Sequence, residues 1–116
     1  MKPSPLAETY LRFVRLTSVL EDWPGLEPLD ANHKALFEAA VVHWSQDKPL
    51  SVQALINQAH LGSPATLHKR LQRLISQGML SSESLEADRR TKLVCPTDKG
   101  MAYAHWAGDK LLRSLN

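Results

Sequence analysis

The stretch "SPATLHKRLQRLISQGML", residues 63–80, decides how this sequence folds. Ser63 followed by Pro64 is a helix start. The serine hydroxyl accepts from an unpartnered backbone N–H of the first turn, and proline at the first helical position gives up a donor the helix does not use. Leu67, Leu71, Leu74 and Ile75 recur on one helical face, which predicts a helix over 63–77 with that face buried. Gly78 then supplies the left-handed residue that ends it. The opposite face carries Ala65, Thr66, Lys69, Gln72 and Arg73, flanked by His68 and Arg70, and none of these is acidic. Small and hydroxyl side chains at its start admit close approach to base edges, and the cations behind them reach phosphates or guanine. The alternative reading is a solvated face that happens to lack acids.

Upstream, Ser51 reads as an N-cap, with Val52, Leu55, Ile56 and Ala59 at the spacing of a short amphipathic helix, and "HLG" (60–62) is a tight turn. Two helices joined in this way form a helix-turn-helix. Downstream, "MLSSESLE" (79–86) and "TKLVCP" (91–96) are strand-like runs separated by a charged turn, so they pair as a hairpin, a wing whose charged part spans 83–92. Arg89, Arg90 and Lys92 project from its tip or outer edge, where a ribbon places an arginine in a narrow A·T-rich minor groove. Asp88 suits such a surface only if it holds an arginine in place. The alternative is an exposed hairpin with ordinary charges.

These two stretches, with "DRRTKLVCPTDKG" (88–100), resemble the MarR family of winged-helix transcriptional regulators across residues 30–100. The first is similar to the family's recognition helix and following strand. The second is similar to its wing signature of Asp-x-Arg, an apolar strand and Thr-x-x-Gly. The resemblance implies that Asp88 orients Arg90, that Arg90 enters the minor groove, and that Thr97 caps a C-terminal helix with Gly100 in its first turn. It implies that Ser63, Thr66, Lys69 and Arg70 face a groove or contact phosphates. Pro96 stands where the family pattern has leucine, and one helix follows the wing where the family has a longer helical region for dimerisation.

Working outward, 116 residues with 43% hydrophobic and 22% charged suit one domain: an N-terminal helix within 1–23, a winged helix-turn-helix core over 30–97 and a C-terminal helix over 98–116. The expected fold is mainly α with a small β-hairpin. Net charge is only +2, but residues 60–100 hold seven Lys/Arg against four Asp/Glu, so the basic excess coincides with the helix-turn-helix and wing. The longest aliphatic run, Ala39–Val42, is far below the ~20 residues needed to span a bilayer, and the start lacks a signal-peptide layout. With one cysteine, Cys95, this points to a cytoplasmic protein. Cys95 is expected to pack as a small hydrophobe, a redox-sensing thiol being the alternative.

Towards the ends, Leu6, Tyr10, Phe13, Thr17 and Leu20 share a face expected to be buried, and the prolines and glycine of 22–30 stop that helix. Asp30 caps the next, whose apolar stripe is Leu36, Phe37, Ala40, Val41 and Trp44. Leu11 and Val19 lie off the first stripe. In the last helix Met101, Ala104, Leu111, Leu112 and Leu115 form one stripe, with Tyr103 and Trp106 on the other side. Two apolar faces imply two partners, so Leu11, Val19, Tyr103 and Trp106 are candidate dimerisation residues; the alternative is that Trp106 lies against the first helix of its own chain. The histidines lack ligand spacing and no nucleophile, base and orienter set is present, so no metal, cofactor or catalysis is expected. The expected partners are double-stranded DNA and a second copy of the chain, with no membrane involvement; an alternative is a sensor whose small-molecule effector releases DNA from a pocket lined by Trp23, Trp44 and Trp106, against which a core role for at least two of these tryptophans is the preferred reading. The expected role is sequence-specific transcriptional regulation, most simply repression. The competing reading is a winged-helix module that binds a protein without DNA.

Overall fold

The computed structural model describes residues 1–20, 23, 30–85, 87–88 and 90–114. Its elements in order are α1 (Pro5–Val19), α2 (Ala31–Ser45), α3 (Val52–Ile56), α4 (Pro64–Ser76), β1 (Leu80–Ser84), β2 (Lys92–Pro96) and α5 (Asp98–Ser114). Each of the five described helices starts on a short polar cap: Ser4, Asp30, Ser51, Ser63 and Thr97 each accept from the backbone N–H three residues on. α4 ends as its glycine requires. Gly78 has φ +76°, and Gly78 N and Met79 N return to the carbonyls of Ile75 and Leu74, each at 2.9 Å.

The chain packs as two compact units, Leu29–Met101 and a second made of Met1–Pro28 with Ala102–Asn116. The first, a winged unit, contains the helix-turn-helix and the hairpin. Leu36, Phe37 and Ala40 of α2, Leu55 and Ile56 of α3, Leu67, Leu71 and Leu74 of α4, and Met79, Leu80 and Val94 are buried there. β1 and β2 pair antiparallel in a register that runs from Leu80↔Pro96 to Ser84↔Lys92. The other edge of β2 is met by the chain before α3: Val94 N donates to Leu50 O at 2.9 Å, and Ser51 bridges Leu93. Pro96 is accommodated as the last residue of its strand, where its missing N–H interrupts nothing.

The first turn of α5 closes this unit. The Thr97 hydroxyl donates to Gly78 O and accepts from Gly100 N at 3.0 Å, and Lys99 Nζ donates to Gln77 O at 2.9 Å. Gly100 is fully enclosed: a methyl there would be driven into the Met79 carbonyl and against the Phe37 ring.

The second, helical unit holds α1 and the rest of α5. Leu16 is the buried residue of α1. The face expected inside is not: Leu6, Tyr10 and Phe13 are 84%, 64% and 55% exposed. Amphipathic spacing marks an apolar face without saying whether its partner lies in the same chain. Tyr103 and Trp106, expected to project outward, are half-buried; Tyr103 lies edge-on to Trp23 with centroids 5.4 Å apart and 6.1 Å from Trp106. Leu115 lies outside the described residues. No described helix is long and apolar enough to cross a membrane.

Candidate nucleic-acid interface

α3 is shorter than its spacing suggested, ending at Ile56, and Ala59 is exposed. The Gln58 side chain turns back and donates to Ala54 O at 3.2 Å, taking a carbonyl the next helical turn would have used. The connection to α4 then passes through Gly62 at φ +147°, a conformation that a side chain would strain.

On α4 the burial contrast is sharp, although Ile75, expected on the buried face, is only half-buried at its margin. Leu67, Leu71 and Leu74 have no exposed surface, whereas Ala65, Thr66, His68, Lys69, Gln72 and Arg73 are all exposed. At the start of that outer face, Ser63 Oγ accepts from Thr66 N at 3.3 Å and donates to Thr66 Oγ1 at 2.9 Å. Arg70 differs from its neighbours: it is half-buried, and its Nη1 donates to Leu61 O at 3.2 Å. Its guanidinium staples the turn of the helix-turn-helix to α4, leaving Lys69, His68 and Arg73 as the exposed basic groups of the helix.

In the wing, Asp88 acts on the backbone. Its Oδ1 accepts from Arg90 N at 3.0 Å and its Oδ2 from the Thr91 hydroxyl at 2.9 Å, while Thr91 N donates to Asp88 O at 3.2 Å. The Arg90 N–H, and after it the Thr91 hydroxyl, hold the Asp88 carboxyl below the usual carboxylate range. Asp88 thus fixes the Arg90 backbone, and the Arg90 side chain is exposed. Lys92 is exposed at the start of β2, and Arg89 lies outside the described residues.

One neighbourhood was not read from the sequence. Arg90, Thr91 and Lys92 share a cleft of about 280 Å³ with Ser51, Val52 and Gln53, so the start of α3 and the wing form one basic surface. No local signal joins residues about forty positions apart; the pairing of β2 with Leu50 and Ser51 does. Cys95 is half-buried, and burial, with Glu83 adding to it, pushes its thiol pKa up, which opposes thiolate chemistry. Among the described residues no group of three or more His, Cys, Asp or Glu is placed to hold a metal ion. The three tryptophans do not line one site within a unit: Trp23 and Trp106 belong to the helical unit, and Trp44 is an exposed residue of the winged unit.

No protein-family model matches the sequence, and no curated protein matches it. Solved structures do. The heme sensor protein PefR from Streptococcus agalactiae, in complex with heme, is similar at TM-score 0.60 and 19% identity, over 97% of this chain and 76% of that one. MepR from S. aureus, in a DNA complex, is similar at TM-score 0.62 and 12% identity, over 92% and 78%. MarR is similar at TM-score 0.56 and 16% identity, over 94% and 71%.

Proposed function

We propose, from a winged-helix fold shared with the MarR-family regulators, that this chain is a sequence-specific double-stranded DNA-binding transcriptional regulator. The observation that carries the reading is the pairing, on one unit, of an acid-free exposed α4 face with a wing whose Arg90 is held at its backbone by Asp88. α4 lies in the major groove, with Ser63, Ala65, Thr66 and His68 near base edges and Lys69 and Arg73 near phosphates. The wing, with Arg90 and its neighbours Arg89 and Lys92, follows the minor groove. Arg70 supports this surface from behind through Leu61. The role is non-enzymatic, cytoplasmic and repressive, the simplest outcome of occupying a promoter.

The assembly in this reading is a homodimer. Leu11 and Val19 are exposed on α1, alongside Phe13, and Leu111 and Leu112 on α5. A second copy covers them, with Tyr103 and Trp106 beneath, and the pair presents two α4 helices to half-sites ~34 Å apart. A Leu11→Glu/Trp106→Glu double variant is then monomeric by sedimentation at micromolar concentration; a double variant that stays dimeric, or a monomeric wild type, removes this interface. A small-molecule effector releases the DNA, in line with the heme that PefR holds in its structure.

The test is selection of genomic fragments by the purified protein, followed by affinities at two salt concentrations. A shared sequence motif with salt-sensitive affinity is the expected result. Each phosphate contact contributes about 0.9 to the slope of log affinity against log salt, so Lys69→Gln flattens that slope by about one, and Thr66→Val leaves it alone. Failure to enrich any fragment at either salt overturns DNA binding in favour of a protein partner for the same surface.

A further inference from the structure

The connection between α3 and α4 is held by two side chains, one from each end. Gln58 Nε2 donates to Ala54 O at 3.2 Å, Leu61 N donates to Gln58 O at 2.8 Å, and Arg70 Nη1 donates to Leu61 O at 3.2 Å. These bonds run in series from α3, through the turn, to the middle of α4. Gln58, Leu61 and Arg70 are all half-buried, so water competes with the bonds less than it would on an open surface. Gly62 leaves the room in which the guanidinium lies: a methyl there would stand 3.4 Å from Arg70 Nη1 and 3.4 Å from Leu67 Cδ2.

α3 and α4 pack together, and Leu55, Ile56 and Leu67 are buried. Apolar burial has no direction. A helix of five residues, about one and a half turns, leaves its neighbour free to swivel on such a contact, and hydrogen bonds of fixed length and angle remove that freedom. Base-edge contacts need this more than phosphate contacts do. A base-edge hydrogen bond is lost when donor and acceptor part by about 1 Å, whereas a cation still attracts a phosphate after such a shift, because Coulomb attraction falls slowly with distance. We infer that Gln58 and Arg70 are positioning residues for base readout, a relay that fixes how α4 meets the major groove while neither side chain touches DNA. The role rests on the proposed DNA binding of α4, to which it adds two residues that act from behind the exposed face.

Arg70→Met and Gln58→Met in the full chain each remove one end of the relay while keeping side-chain length. Without DNA, hydrogen exchange over 57–66 is expected to quicken by about tenfold in either variant, while the amides of 67–76 keep their protection and so show that the fold is intact. The ratio of affinities for a genomic fragment selected by wild type and for a scrambled duplex is expected to fall about tenfold in each single variant. Bonds in series act as a unit, so in the double variant the ratio also falls about tenfold, not about a hundredfold. The slope of log affinity against log salt stays that of wild type, where Lys69→Gln flattens it by about one. Discrimination lost at a constant salt slope is a signature that lowered stability alone does not give. An undiminished ratio in either single variant overturns the role. So does a flattened slope in Arg70→Met, which would put the guanidinium on a phosphate, or a fall of about a hundredfold in the double variant, which would show the two residues acting separately. Unchanged exchange overturns the relay itself. A wild type that selects no fragment overturns the DNA reading, and the base-readout role with it, while exchange still decides whether the two side chains hold the turn.

Discussion

The winged unit and the helical unit use their apolar residues in opposite ways. Among the described residues every buried apolar side chain except Leu16 belongs to the winged unit, while Leu6, Tyr10, Leu11, Phe13, Val14, Val19, Leu111 and Leu112 of the helical unit are exposed. The winged unit closes its core within one chain. Among its described residues the helical unit buries one large apolar side chain, Leu16, and that difference separates residues that hold the fold from residues left facing solvent.

The largest effect that sharpens the contrast is a core truncation. Leu71→Ala, in a fully enclosed position, is expected to cost about 2–5 kcal/mol in urea unfolding, whereas Phe13→Ala changes the dilute chain by about 0.5 kcal/mol or less. Similar losses for the two would break the distinction. Next come two glycines of one helix. Gly100→Ala is expected to destabilise by about 1–3 kcal/mol, since the added methyl meets a backbone carbonyl that cannot move aside. Gly108 has nothing within contact range, so Gly108→Ala is expected to stabilise by up to about 1 kcal/mol from helix propensity alone.

The proposed function divides the same way. Arg90→Ala is expected to weaken binding by about 1–3 kcal/mol on a single half-site and on a paired site alike, with preference relaxed at the outer A·T positions. The Leu11→Glu/Trp106→Glu variant weakens the paired site only. A titration of half-site and paired-site duplexes reads both; equal loss on the single half-site from the double variant would place DNA contacts in the helical unit.

The smallest effect is confined to the wing tip. Because the folded Asp88 carboxyl titrates below its ordinary value, its contribution is present above the unfolded carboxylate range and is lost as pH falls through the lower folded value. The protection of the Arg90 amide, taken relative to its intrinsic exchange rate at each pH, is expected to fall on that acidic side while core amides of α4 keep theirs. A protection at Arg90 that stays constant across that range would show that Asp88 does not hold the turn.

Local chemistry made the winged unit readable. Ser63-Pro64, the leucine spacing of α4, Gly78 and the alternation before and after the charged turn each act over a few residues, and the helix, its end and the hairpin stand where those signals put them. Three features needed the third dimension. α3 stops at Ile56 because the Gln58 amide reaches back, which no periodicity reveals. Arg70 sits beside the outer face by angle but turns inward to Leu61, so a face assignment from spacing alone overstates its freedom. Gln53 meets the wing only because β2 is bridged on its far edge by Ser51. In α1, spacing selected the Leu6, Tyr10 and Phe13 stripe where the chain buries Leu16, because a pattern with apolar residues on two sides does not say which side its own chain covers.

The Thr97 hydroxyl, bound at once to Gly78 O and Gly100 N, joins the end of α4 to the first turn of α5 through a single oxygen. Exchanging that hydroxyl for a methyl, Thr97→Val, would therefore unpair a carbonyl at one helix end and an N–H at the start of the next in one step, a double loss from one atom.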